Sequence, residues 1–247
     1  MPFYAKLCLF MPRDELSLNK IFLLNELFLL FIDQQAMKFI NSFAQTLGLI
    51  ILSSYFSMVA SASSCVNNRL TVEKGNIINT VIRAADHNHK DVVLVHGCNC
   101  KRAMGALAAE VGRSFPAAVI ADNKTPNSDH KKLGTYSHAE VYTRKGNRLV
   151  IVNAYTQFNA GLVSNTSELE ATIAKVFKKI AEDFPPEEFI IYYPQVGAGV
   201  AGGNWLYIHQ HINEALKHHE RVLVEFDNSP VNTQLLKNVA YTATKPN

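Results

Sequence analysis

From about residue 70 onward, short apolar runs alternate with longer stretches whose apolar positions recur every three or four residues. Val92-Val93-Leu94-Val95 is a continuous, β-branched run of the kind found in strands buried on both faces. Ala106 to Phe115 carries Leu107, Val111 and Phe115 at helical spacing. Tyr136 to Tyr142 alternates as a strand does, and Leu149-Val150-Ile151-Val152 predicts another buried strand. Glu168 to Phe184 predicts a helix with Leu169, Ile173, Val176, Phe177 and Ile180 as its stripe, stopped by Pro185-Pro186. Phe189–Tyr193 predicts a strand and Trp205–Leu216 a helix with Ile208, Ile212 and Leu216 in register; Val222–Phe226 predicts the last strand. This alternation predicts an α/β fold, a three-layer α/β/α sandwich around a mixed, mostly parallel sheet. The polar, turn-rich tail from Asn228 is expected to be loose.

The first quarter of the chain has a different pattern. Residues 1–62 hold no histidine, and their apolar runs, Ile21–Leu24, Leu27–Ile32 and Leu49–Leu52, are split by Asp33, Gln34 and Gln35. No single span of about 20 apolar residues results. Read from Met37, Lys38 supplies a short positive start, Leu47 to Ala60 is mostly apolar, and Ala60-Ser61-Ala62 has small-x-small cleavage spacing. A secretory signal peptide is built this way. Residues 37–62 are therefore expected to direct export, giving a secreted or periplasmic protein, with 1–36 as an upstream extension. The alternatives are a membrane anchor that adds Phe22–Phe31, or a cytoplasmic protein if 37–62 does not direct export. Lipidation at Cys65 is a weaker alternative, because Ala62-Ser63-Ser64 lacks the bulky apolar residue expected before such a cysteine.

Composition narrows the function classes. The 247 residues are 48% hydrophobic with a net charge of +3, which excludes intrinsic disorder. The 24 basic and 21 acidic residues are interspersed, so no specific nucleic-acid partner is expected. Four cysteines in this length do not make a disulfide scaffold.

Two predicted strands run straight into glycine-bearing loops that lead to helices. Val92–Val95 continues as His96-Gly97-Cys98-Asn99-Cys100-Lys101-Arg102-Ala103-Met104-Gly105-Ala106. Phe189–Tyr193 continues as Pro194-Gln195-Val196-Gly197-Ala198-Gly199-Val200-Ala201-Gly202-Gly203-Asn204-Trp205. Open α/β sheets bind ligands at the carboxyl ends of their strands. Glycine loops let backbone N–H groups approach an anion, and a helix N-terminus adds partial positive charge. Side by side, the two loops suit a diphosphate. Neither is a P-loop. Gly197 to Gly202 formally matches G-x-G-x-x-G but lies late in the chain and lacks the acidic residue of a dinucleotide fold.

At these residues the chain resembles the macro domains, the fold that binds ADP-ribose. It is most similar to the branch of ADP-ribose 1″-phosphate phosphatases, their phage relatives and the terminal ADP-ribose glycohydrolases. The resemblance is carried in order by Lys74-Gly75-Asn76-Ile77, His96 to Cys100, Met104-Gly105-Ala106, Phe115-Pro116-Ala117-Ala118, Ala121-Asp122, Leu133 to Ser137, Asn153 to Gln157 and Pro194 to Trp205. It implies a macro domain over residues 63–228, followed by the tail 229–247. It implies ADP-ribose or a derivative as ligand, with an ADP-ribosylated protein as a further partner, no cofactor and a monomeric chain. His96 matches a catalytic histidine of the phosphatase branch, suited to acid–base work near neutral pH. Asn99 would hydrogen-bond the distal ribose, and Asp122 is a candidate second polar group. Gly75, Asn76 and Ile77 would meet the adenine, with the Asn76 carbonyl accepting from its amine in place of the family's usual acid. Cys98, Met104, Gly105 and Ala106 belong to the first phosphate loop. Val196, Gly197, Ala198, Gly199, Val200 and Ala201 would wrap the diphosphate and distal ribose, with Asn204 beyond them. Phe226 and Asp227 would lie near the adenine.

Three positions depart from the pattern. Leu107 replaces the second glycine of the first loop, and its Cβ disfavours positive φ. Ala201 stands where the glycohydrolase branch has an aspartate, which argues against covalent catalysis through that group. Asn204 replaces an aspartate of the phosphatase-like branch and cannot exchange a proton. Hydrolysis of a derivative such as ADP-ribose 1″-phosphate and recognition without turnover are thus both open readings. A third is an exported metal-binding protein using His96, Cys98 and Cys100 with His87 or His89, although this spacing is not a common zinc pattern. Simpler roles are also expected for several residues. His96 would be a hydrogen-bonded core histidine and Trp205 a packing residue. Cys98 and Cys100 would stay unpaired with each other, leaving Cys65 as the partner for one of them in an oxidising compartment. His209/His211 and His218/His219 would be solvated helix positions, and Lys131-Lys132 plain surface.

Overall fold

The computed structural model describes residues 69–240. The expected extension 1–36, the expected export segment 37–62, Cys65 and the last seven residues lie outside them. In chain order the elements are β1 Leu70–Lys74, α1 Ile77–His87, β2 Asp91–Asn99, α2 Ala106–Ser114 and α3 Pro116–Asn123. A 3₁₀ turn His130–Lys132, β3 Tyr136–Thr143, β4 Arg148–Gln157, α4 Thr166–Asp183 and β5 Phe189–Tyr193 follow. The last are α5 Trp205–Ala215, β6 Glu220–Glu225, α6 Thr233–Leu236 and β7 Val239–Ala240. No helix among the described residues is long and apolar enough to cross a membrane.

The seven strands form one sheet in the order β1-β6-β5-β2-β4-β3-β7. The pairings from β1 through β4 are parallel, whereas β3 is antiparallel to both β4 and β7. This is the expected α/β/α sandwich around a mixed, mostly parallel sheet. Period-2 alternation divides the central strands between two cores. Val93, Val95, Val150, Val152, Ile191 and Tyr193 pack under α4 and α5. Val92, Leu94, Leu149, Ile151, Ile190 and Tyr192 pack under α1, α2 and α3.

Four elements near the ends of the domain go beyond the sequence reading. β1 and α1 precede the first expected strand, and α1 buries Ile77, Ile78, Val81, Ile82 and Ala85. At the other end, the tail expected to be loose is built into the fold. Residues 233–236 form α6, and Val239, 4% exposed, pairs with Thr143 on the sheet edge. The Asn76 and Asn79 side-chain amides donate to the carbonyls of Ser229 and Pro230 at 3.1 and 2.9 Å, holding this segment on α1.

Two expectations about surface residues are corrected. Lys132 is buried, because its ammonium reaches Asp122 at 3.3 Å and lies 4.0 Å from the Tyr155 ring centroid. His219 is buried after the end of α5, with Nε2 donating to the Phe184 carbonyl at 2.8 Å. Trp205 packs against the α4/α5 core and stacks on His209.

Candidate functional site

β2 and β5 are parallel neighbours at the centre of the sheet, so their carboxyl ends open side by side. Asn99 leads into a loop that ends at α2, and Tyr193 into a loop that ends at α5. The two loops form opposite walls of a groove of about 870 Å³. Gly75–Ile77 and Val224–Phe226 close it on the β1/β6 side; Thr156, Gln157, Ala160 and Gly161 close it beside β4.

Several backbone donors in these walls have no partner among the described residues. Asn side chains cap α1, α4, α5 and α6. The N-cap of α2 is Gly105, which has no side chain to do so. Among the described residues, the N–H groups of Gly105, Ala106 and Leu107 make no hydrogen bond, nor do those of Gly197, Gly199, Val200 and Ala201. All seven of these residues line the groove. Helix N-terminal and loop amides of this kind attract anions.

The glycines of the second loop serve different purposes. Gly197 has φ +78°, and a Cβ there would stand 2.6 Å from Ile173 Cδ1. A Cβ on Gly203 would meet Ile208, Leu169 and the Gly197 carbonyl within 3.0 Å. These positions need glycine for backbone conformation and packing. Among the described residues, a Cβ on Gly199 or Gly105 would meet no atom within 4 Å. Nothing in the protein's own packing demands glycine at those two positions. The left-handed residues of the first loop are Arg102 and Ala106, at φ 57° and 47°. Leu107, where the family glycine is missing, is not strained: it sits in the first turn of α2 and packs beside the α1/α2 core.

Of the residues expected at the site, Gly75, Asn76, Ile77, Cys98, Asn99, Gly105, Ala106, Val196, Gly197, Gly199, Val200, Ala201 and Phe226 line the groove. Phe226 is exposed there, 63% accessible. Asn76 and Asn99 are engaged within the protein. Asn76 Oδ1 accepts from Ile78 N at 3.0 Å as the α1 cap. Asn99 Oδ1 accepts from Lys101 N and Ala103 N, and its amide donates to the Ala103 carbonyl, so it shapes the first loop. Met104 is outside the groove, its sulfur packed toward Gly112 of α2. Ala198 donates its N–H to the Gln195 carbonyl, and Asn204 caps α5 through Leu206 N.

His96 and Asp122 also lie outside the groove lining. His96 follows the parity of Val92 and Leu94, so its side chain enters the layer beneath α2 and α3. It is 1% exposed; Nε2 donates to Asn153 Oδ1 at 2.9 Å, and Nδ1 lies 3.7 Å from Cys98 Sγ. From Asn153 a chain of hydrogen bonds runs through Ser137 and the Tyr155 hydroxyl to Asp122 Oδ1, which Lys132 also reaches. Burial outweighs the Asn153 bond and the Asp122 charge and lowers the His96 pKa from 6.5 to about 4. Burial pushes the Cys98 thiol well above its usual range, which makes it inert as a nucleophile. His96 is thus a neutral, hydrogen-bonded core group. Cys98 and Cys100 are free thiols. Among the described residues, no three His, Cys, Asp or Glu side chains converge on a metal position. The suggested cluster of His96, Cys98 and Cys100 with His87 or His89 therefore does not form.

Leu107, singled out in the first loop, does line the groove; lining residues to which the sequence reading gave no role are Glu110, Thr156, Gln157, Gly161, Gln195 and Glu225. Glu110 had a legible signal, standing four residues after Ala106 on the same helix face. Gln157 ends β4 and donates to the carbonyls of Asn159 and Gly161, which orders the neighbouring wall.

No family model matches the chain. Among known proteins, it is 35% identical over 117 residues to an uncharacterised 17.5 kDa protein from the tk-vs intergenic region of Enterobacteria phage T4. That match covers 45% of this chain and 72% of the phage protein. Among solved structures, a protein of unknown function from Bacteroides thetaiotaomicron superposes with a TM-score of 0.51 at 19% identity, covering 63% of this chain and 98% of that one. The macrodomain of Mycobacterium tuberculosis DarG aligns with a TM-score of 0.45 at 18% identity, covering 65% of this chain and 98% of that one.

Proposed function

We propose that this chain is a macro domain and that it binds ADP-ribose along the groove between the β2 and β5 loops. The observation that carries the reading is the pair of facing loops with unpaired amides: Gly105, Ala106 and Leu107 on one wall, Gly197, Gly199, Val200 and Ala201 on the other. A diphosphate offers four non-bridging oxygens as acceptors for such donors. Phe226, exposed at the β1/β6 end, offers a ring face to the adenine. Asn76 supports this end by capping α1, and the Ser229 carbonyl holds its amide in place.

Removal of the phosphate from ADP-ribose 1″-phosphate is the finer activity that the family resemblance implies. It would need His96 or Asp122 at the reacting group. Their burial beneath α2 and α3 supports a structural role for both. The reading is therefore recognition of ADP-ribose, free or carried on a protein, without His96-dependent turnover. Calorimetry of the full chain with ADP-ribose tests the binding, and absence of heat at millimolar ligand overturns it. Incubation with ADP-ribose 1″-phosphate tests the rest: phosphate release abolished in a folded His96→Gln variant would return His96 to catalysis. Export by residues 37–62 is an accompanying proposal, which N-terminal sequencing of the mature protein tests through cleavage after Ala62.

A further inference from the structure

We infer that the groove selects its ligand by charge, accepting the diphosphate of ADP-ribose but disfavouring a further phosphate, with Glu110 as the residue that sets the preference. The inference rests on the reading above and narrows it to an ADP-ribose whose distal ribose carries no phosphate.

Among the described residues, two charged side chains line the groove, Glu110 and Glu225, both acidic, and no Lys, Arg or His does. The cations of the first loop are turned elsewhere. Lys101 lies over the Phe158 ring at 5.1 Å. Arg102 donates to the carbonyl of Asn123, the last residue of α3, and to that of Thr125 just beyond it. Among the described residues, a phosphate in the groove would therefore meet uncharged donors and no cation. A diphosphate linkage carries one negative charge per phosphate, a load that amides and a helix N-terminus can meet. A terminal monoester adds about 1.5 to 2 further negative charges and three more acceptor oxygens. Protein sites usually answer such a group with Arg or Lys. Here it would meet the Glu110 carboxylate, which has no ion-pair or hydrogen-bond partner among the described residues. Glu110 stands one helical turn beyond Ala106, whose free N–H is among the anion donors, so its charge opposes the local positive potential of α2.

The test is calorimetry of the full chain with ADP-ribose and with ADP-ribose 1″-phosphate, at low and at high salt, with inorganic phosphate followed in parallel. The inference predicts binding of the 1″-phosphate weaker by about tenfold or more at low salt, with a gap that shrinks as salt screens the repulsion. Glu110→Gln is expected to recover most of that ratio while changing ADP-ribose affinity less. Equal or tighter binding of the 1″-phosphate, its rapid hydrolysis, or a ratio unchanged in Glu110→Gln overturns the inference. The salt series on the unaltered chain decides the matter if the variant does not fold. Failure of both compounds to bind overturns the binding reading itself. Equal binding of both removes only the charge preference.

Discussion

Gly197 and Gly199 stand two residues apart in the same loop, and alanine at each should do opposite things. At Gly197 the backbone has φ +78°, and an added Cβ would lie 2.6 Å from Ile173 Cδ1 and 3.3 Å from Ile208 Cδ1. An L-residue in that conformation costs about 1–2 kcal/mol. Forcing a methyl group into packed core costs about 1–3 kcal/mol more. Together, Gly197→Ala should destabilise by about 2–5 kcal/mol, a fall in Tm of about 4–20 °C for a domain of this size. At Gly199 the backbone is outside the left-handed region and the Cβ meets nothing within 4 Å. Stability should hold or rise by about 0.4–1 kcal/mol, because alanine restricts the unfolded chain. The methyl group would instead stand in the groove beside the Gly199, Val200 and Ala201 amides and weaken ADP-ribose binding by about tenfold, the loss from about 1.4 kcal/mol of steric displacement. Thermal melts and calorimetry on both variants separate the effects. A Gly199→Ala protein that melts many degrees lower, or binds ADP-ribose as well as the parent, would refute the division between packing glycine and ligand glycine.

Three further outcomes follow from the buried groups. His96 has a folded pKa of about 4 against 6.5 when unfolded, so between those values the unfolded chain binds the extra proton. Stability should then fall by up to ~3 kcal/mol as pH drops from about 6.5 to 4, and urea denaturation of His96→Gln should show a flatter pH profile. Lys132→Met leaves the Asp122 carboxylate, 2% exposed, without its cation. That should cost about 3–5 kcal/mol in chemical denaturation, with ADP-ribose affinity of the folded protein unchanged because neither residue lines the groove. Truncation after Asp227 removes the Ser229 and Pro230 carbonyls from Asn76 and Asn79 and uncovers the core beneath Val239. It should lower Tm despite leaving both phosphate loops intact.

Much of this architecture was written in local pattern. The runs at Val92–Val95, Leu149–Val152 and Phe189–Tyr193 fall inside β2, β4 and β5, and the Leu169–Ile180 stripe is the buried face of α4. Strand-to-helix loops after β2 and β5 were legible because glycine clusters follow apolar runs. The depth of individual polar groups was not. Lys132 reads as surface until the 3₁₀ turn brings it to Asp122, a contact made across α3 and β4 that no local window contains. β7 is two residues long, too short for any periodicity, and exists because β3 offers it an edge. The face on which His96 lies was available from its parity with Val92 and Leu94. The family resemblance instead drew attention to its place at the strand end. Asn76 and Asn99 were recognised as site positions; their cap and loop bonds to Ile78, Lys101 and Ala103 are local, whereas the bond from the Asn76 amide to the Ser229 carbonyl is one that only the fold makes.

Backbone amide NMR during titration of the full chain with ADP-ribose tests the central assignment most directly. Saturable shifts concentrated on Gly105, Ala106, Leu107, Gly199, Val200 and Ala201 are expected, weaker for their neighbours and near zero around His96 and Asp122. Shifts centred on the His96–Asp122 layer, or none at saturating ligand, would contradict the assignment of the loop amides as the diphosphate site.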